Sequence, residues 1–399
     1  MTASAPRAGV ARASPGHQGV VDAWARGELS ALEERSLLRR LDRLDSPQGP
    51  SVRLAGRQLL NFSSNDYLGL AFDPRLIEAG RRALAEWGSG AGASRLVVGH
   101  QGPHASLERA LSDFEGCEAA LVFSSGYAAN VGVLSALVGE GDAVFSDALN
   151  HASVIDGCRL SRASIVRYRH GDVGHLAELL KATPARRRLV VTDTVFSMDG
   201  DLAPLRELQR LCREEGAGLM VDEAHATGVF GEGGAGLCQA LEVDADVRVG
   251  TLSKALGGAG AWVAGSRALI ELVLNRARSF VFSTGLPPAV CAVGEAAVTR
   301  LHEEPELRRR LWRNVEALAT GLGLPATSPI FSLVVGAPQV ALEASASLLR
   351  QGFLVKAIRP PTVPDGTSRL RVSVSAAHTV GDIERLVVAL RSTLHEERP

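Results

Sequence analysis

Hydrophobic positions recur along this chain with two alternating periods. Between about residues 119 and 265, short apolar runs alternate with stretches spaced for helices. Ala119–Phe123, Ala143–Phe145, Ser164–Tyr168, Leu189–Thr192 and Leu219–Val221 read as strands. A helix is predicted from Tyr127 to Val138, with others near 173–182 and 204–215. Strands that are apolar throughout suit a parallel sheet buried on both sides. The expected fold class is therefore α/β, with a mostly parallel central sheet and helices on both faces. Upstream, leucines at 29, 32, 37, 38, 41 and 44 fall at helical spacing among charges, which predicts an amphipathic helix within 20–45. Downstream, 287–322 is helix-rich. Strands at Ile330–Val335, Leu354–Ile358 and Leu370–Ser375, with helices at 340–351 and 380–396, predict a smaller α+β C-terminal domain. In that last strand Leu370, Val372 and Val374 share one face, and Arg369 and Arg371 the other. The expected organisation is a leader over 1–19, a helix and arm over 20–60, a large domain over 61–290 and a small one over 291–399.

Charge and composition narrow the possibilities. The 43 Lys and Arg balance 44 Asp and Glu, so nothing favours a nucleic-acid or membrane-surface role. Apolar runs stay well short of the ~20 residues of a membrane span. The Ala/Ser/Pro/Gly/Arg-rich start, Met1 to Gly19, has no apolar core and reads as a disordered leader, not a secretory signal. The five cysteines form no Cys-x-x-Cys pair, which suits reduced thiols in the cytoplasm and no metal site. Only three lysines occur, Lys181, Lys254 and Lys356, so any lysine chemistry has three candidates.

Three segments carry chemistry. An apolar strand runs into Asp222, and His225 follows three residues later; ligands collect at such carboxyl ends of open α/β sheets. Asp222 as a helix cap and His225 as a packing residue is the plain alternative. Thirty-two residues beyond Asp222, Lys254 follows another strand. A lysine among apolar groups is disfavoured as a cation, so its amine can attack a carbonyl. Ser124–Asn130 lies between strand and helix, where Gly126 and the free N–H groups at the helix start make a phosphate cradle. Neither a Walker A nor a dinucleotide fingerprint is present. A phosphate, a basic ring nitrogen and an aldehyde together describe pyridoxal phosphate. His151 is the candidate for the ring's face, against the plain reading of a capping histidine.

Six segments in order, Asn61–Gly69, Ser125–Asn130, Val195–Asp201, Val221–Gly228, Thr251–Lys254 and Ser283–Pro288, resemble the α-oxoamine synthases, which are fold-type-I pyridoxal-phosphate transferases. The likeness runs from about 20 to 397. It implies that Lys254 carries the cofactor, Asp222 pairs with the pyridine nitrogen, His225 bonds the phenolic oxygen and His151 stacks on the ring. Gly126, Tyr127 and Thr251 would hold the phosphate, with Ser283 and Thr284 supplied by the partner in a homodimer. Ser197 would lie near the cofactor, and Arg371 would take the amino-acid carboxylate. Arg39, Asn65 and Thr362 match the acyl-substrate mouth, and Arg359 a second arginine there. Ala357–Pro364 followed by Gly366–Arg371 resembles the branch of biotin biosynthesis that joins L-alanine to a pimeloyl thioester, carried on coenzyme A or acyl carrier protein. A sister synthase using glycine or serine with another acyl donor is the competing expectation. An aminotransferase and a non-catalytic cofactor-binding subunit are weaker ones. Three departures from the family pattern stand out: Tyr127 for Phe, Asp193 for Glu, and a Thr-Leu-Ser-Lys spelling at 251–254.

Overall fold

The structure, a computed structural model, describes residues 19–396. The leader read over 1–19 lies outside the described residues except for Gly19. A seven-stranded sheet dominates, in the order 119–123, 261–265, 247–251, 218–222, 188–193, 143–147, 164–168. Strand Ala261–Gly265, which has no counterpart among the predicted strands, pairs antiparallel with both neighbours. The other pairings are parallel.

Successive side chains on the central strands enter different cores. Val144, Val191 and Met220 pack with Ala129, Val133 and Val154 of helices Gly126–Leu137 and Ala152–Ser161. Phe145, Val190 and Val221 pack on the other side with Leu176 and Leu208 of helices Val173–Ala182 and Leu205–Glu215. Fully burying such a side chain contributes ~1.5–3 kcal/mol, so both faces drive the same layering. This double covering is why the strands read as unbroken apolar runs.

Two three-stranded sheets complete the fold. Ser368–Ser373 lies between Ile330–Gly336 and Lys356–Ile358, antiparallel to both. Arg57–Asn61 pairs antiparallel with Ser51–Leu54 and parallel with Phe353–Leu354. The single strand expected at Leu354–Ile358 is thus two short strands in different sheets, parted at Val355, whose side chain is buried. The N-terminal helix is also shorter than its leucine spacing predicted, ending at Glu34. Ser36 enters the left-handed region at φ 55, and the Leu37 N–H returns to the Leu32 carbonyl at 2.8 Å. That closure ends the helix and turns Leu37 inward, while Leu41 stays exposed.

Candidate active site

Five strand ends meet at one edge of the central sheet. Strand Gly218–Asp222 is fourth of the seven, and its last residue is Asp222. Parallel register sets Asp193 directly beside it. Strand Val247–Thr251 delivers Thr251 and then Lys254, Ala143–Asp147 leads to His151, and Ala119–Phe123 leads to Gly126. Gly126, Tyr127, Asn130, His151, Asp193, Asp222, His225, Thr251 and Lys254 line a cavity of ≈ 180 Å³. Three larger grooves, of ≈ 580, ≈ 620 and ≈ 520 Å³, lie elsewhere and hold none of these groups.

Hydrogen bonds fix each group. Asn130 donates to Asp222 Oδ2 at 2.6 Å and to Ser153 Oγ at 2.9 Å. The Ala224 N–H donates to Asp222 Oδ1 at 2.9 Å. Glu223 points the other way and accepts from Thr194 Oγ1 and from the N–H groups of Leu237 and Cys238, which anchors the turn between Asp222 and His225. His225 Nδ1 lies 2.7 Å from the Tyr67 hydroxyl. Arg371 donates to that hydroxyl at 3.4 Å, and Asn65 Oδ1 lies 3.3 Å away as an acceptor for its proton. Burial holds the His225 imidazole well below its ordinary range, reinforced by Lys254 and Arg371. His151 Nδ1 accepts the Ser153 N–H at 3.2 Å.

Lys254 is part-buried, and burial pushes its ammonium down to about 8, against the opposing charges of Asp222 and Asp193. Burial and the adjacent Asp222 carboxylate hold Asp193 well above the ordinary carboxylate range. At the far end, Ser125 caps helix Gly126–Leu137 by accepting the Ala128 N–H at 3.1 Å. A side chain added at Gly126 would meet no atom within 4 Å, so the helix start is open to a ligand. Thr251 Oγ1 lies 2.8 Å from Ser253 Oγ in the same wall.

Arg371 is the second focus. It is buried, and it donates to the Ser197 carbonyl at 2.6 Å, Asn65 Oδ1 at 3.0 Å and Ser373 Oγ at 2.9 Å. Its neighbour Arg369 is neutralised by Asp199. Arg371 has no carboxylate partner among the described residues. A buried guanidinium without a counter-charge is costly unless a ligand supplies one.

The remaining expected residues fall in two other places. Arg39 donates to the carbonyls of Arg359 and Pro360 and to Thr362 Oγ1, while Arg359 is held by the carbonyls of Ser36 and Leu38. Ser283 and Thr284 do not reach the Lys254 cavity in this chain; they line a small crevice with Arg95 and Ser124. Sequence reasoning assigned no role to Tyr67, Asn130, Ser153 or Ser253. Asn130 had a signal, since it lies one helical turn beyond Gly126 and so faces the same strand ends.

The residues fit pyridoxal phosphate. Asn130 Oδ1 and Asp193 Oδ1 line the cavity as buried polar atoms without a partner among the described residues. A lowered amine, an anchored carboxylate and an open helix start complete the donor set.

The aminotransferase class I and II family model matches residues 57–390. An 8-amino-7-oxononanoate synthase of Anaeromyxobacter dehalogenans (strain 2CP-1) is 53% identical over 390 residues, spanning 96% of this chain and 98% of the relative. One from Geobacter sulfurreducens is 51% identical across 91% of this chain and 96% of its own. Among solved structures, a serine palmitoyltransferase from S. paucimobilis with a bound PLP–myriocin aldimine has a TM-score of 0.90 at 33% identity, covering 95% of this chain and 99% of that one. An 8-amino-7-oxononanoate synthase from Francisella tularensis has a TM-score of 0.73 at 27% identity, covering 85% and 99%.

Proposed function

Because the chain belongs to the aminotransferase class I and II family, within its 8-amino-7-oxononanoate synthase group, we propose that it joins L-alanine to a pimeloyl thioester. The products are 8-amino-7-oxononanoate, CO2 and the free thiol, a step of biotin synthesis. The chain is a pyridoxal-phosphate enzyme of fold type I. The observation that carries the substrate reading is Arg371, a buried cation set beside the lysine cavity with no carboxylate partner among the described residues.

Bound pyridoxal phosphate supplies an aldehyde that carries the amino acid and a ring that accepts electrons. Lys254 would hold the aldehyde, Asp222 the pyridine nitrogen, and Gly126, Tyr127 and Thr251 the phosphate. Ser283 and Thr284 from a second copy would complete the phosphate seat in a homodimer. His225 would bond the phenolic oxygen, and His151 would cover the ring. Ser197, whose carbonyl accepts from Arg371, would stand near the cofactor. Arg371 holds the alanine carboxylate, a planar fork suited to two oxygens. The neutral Lys254 amine takes the alanine Cα proton. Arg39, Arg359 and Thr362 would line the acyl mouth, which receives a donor carried on coenzyme A or acyl carrier protein, and Asn65 would join it from the amino-acid seat, where its Oδ1 accepts from Arg371. Residues 61–290 would be the cofactor-binding domain, the small domain would begin at 291, and the enzyme would work in the cytoplasm. Among the described residues, no helix is long and apolar enough to cross a membrane.

The backbone superposes better on the serine palmitoyltransferase than on the solved synthase, which favours a sister activity. The 53% identity across 96% of the chain outweighs it, because backbone likeness is shared by enzymes of different substrates. Steady-state assays with alanine, glycine and serine, each against pimeloyl, acetyl, succinyl and palmitoyl thioesters, should give the alanine–pimeloyl pair the highest kcat/KM. A glycine or serine pair ahead by tenfold would replace the reading with a sister synthase.

The lowered Lys254 amine has a pH signature. Only the neutral amine attacks an aldehyde, and its population grows tenfold per unit up to its pKa. Capture of pyridoxal phosphate by the cofactor-free protein should therefore speed up with pH and level off above about 8, not near the ordinary 10.5. Stopped-flow absorbance between pH 6 and 10 reads this directly; a rate still climbing tenfold from pH 8.5 to 9.5 would mean an unperturbed lysine.

A further inference from the structure

His170 follows the edge strand Ser164–Tyr168 and touches none of the groups assigned above. Its Nδ1 lies 3.0 Å from Asp147 Oδ1 and its Nε2 lies 2.7 Å from Asp201 Oδ2. Carboxylates only accept, so both ring nitrogens must carry protons, and the group is an imidazolium between two anions. The two carboxylates hold it protonated, raising it to about 10.

The two partners belong to different loops. Asp147 also accepts the Leu149 and Gly171 N–H groups, so it shapes the turn that leads to His151. Asp201 sits in the Val195–Leu202 loop, closed by a bridge between its ends and by the Phe196 N–H on the Asp201 carbonyl at 3.0 Å. That loop presents the Ser197 carbonyl to Arg371 and Asp199 to Arg369. The Phe196 ring meets the imidazole edge-on, at 4.3 Å and 87°.

We propose that His170 is a positioning residue that pins the Val195–Leu202 loop to the sheet edge and so fixes the Arg371 guanidinium for the amino-acid carboxylate. The inference rests on Arg371 being that carboxylate's seat. Misplacing a substrate-orienting group by about 1 Å can cost ~10²-fold in rate, so a loosened loop acts on the amino acid and not on the acyl donor.

The test uses holoenzyme carrying His170→Gln, His170→Phe or Asp201→Asn. Titration of the bound-cofactor absorbance with L-alanine alone should show affinity weakened by about tenfold or more. The KM for pimeloyl thioester should stay within twofold of the parent. A role in folding alone would lower the number of active sites and leave alanine affinity unmoved. Folded His170→Gln and Asp201→Asn proteins with parental alanine affinity would overturn the proposal, and Gln keeps the test usable should Phe not fold. Arg371→Ala separates the two layers. If it spares alanine binding, the carboxylate seat is wrong; if it abolishes binding while the His170 and Asp201 variants do not weaken it, only the positioning role is wrong.

Discussion

Replacing Lys254 with alanine should drop turnover below about 10⁻³ of the parent rate, because one change removes both the covalent holder and the general base, the latter alone worth ~10²–10⁴. The structure makes this loss specific. Lys254 is flanked by Asp222 and Asp193 inside the cavity, whereas Lys356 is paired with Asp42 at the surface and Lys181 is exposed at a helix end. No other lysine can substitute. Borohydride treatment of the parent holoenzyme should fix the cofactor on Lys254 alone, read by peptide mass spectrometry. In the alanine variant the cofactor should wash out on dialysis, with the fold unchanged by circular dichroism. Label on Lys181 or Lys356, or turnover within tenfold of the parent, would defeat the assignment.

The second large effect belongs to Asp222. Asp222→Asn keeps the shape of the side chain and an acceptor for Asn130 but removes the negative charge. The Asn130 and Ala224 contacts then survive in part, so the protein should fold and bind the cofactor covalently. kcat should nevertheless fall by ~10²–10³, the usual cost of removing one preorganised electrostatic group from a site. The pairing of retained visible absorbance with lost turnover distinguishes Asp222 from Lys254, where both disappear. A kcat within tenfold of the parent would mean that the carboxylate only caps the following turn, the plain alternative its sequence position allowed.

How much of this was legible in advance depends on distance along the chain. Lys254, Asp222, His225 and Gly126 each announce themselves through a local pattern: an apolar run, then a polar residue at the strand's end. Parallel strands all place that end at the same edge, so local reading suffices to bring them together. Tyr67 gives no such signal. Its hydroxyl orients His225 across 158 positions, a contact visible only once the arm packs on the sheet. Strand Ala261–Gly265 was missed because it is short and lies in a glycine-rich stretch, with Gly257, Gly258 and Gly260 before it and Gly265 at its end. The leucines from 37 to 44 continue the spacing of the first helix, yet the left-handed turn at Ser36 breaks it; tertiary burial of Leu37 overrides the periodicity. Ser283 and Thr284 were expected at a neighbour's site, and within one chain they lie away from the Lys254 cavity.

The surroundings of Arg371 bear on the order in which the protein gains its abilities as it folds. Every lining residue of the lysine cavity lies between 126 and 254, within one run of strand–helix units. The seat of Arg371 instead closes contacts across 306 positions to Asn65 and 174 to Ser197. Chain-closure entropy delays contacts of such span. A molecule that has formed its central sheet but not yet docked strand Ser368–Ser373 therefore has its own wall of the cofactor cavity and no amino-acid seat. Competence to take up the cofactor and competence to use it arise at different stages of folding, and only the second reports that the last strand is home.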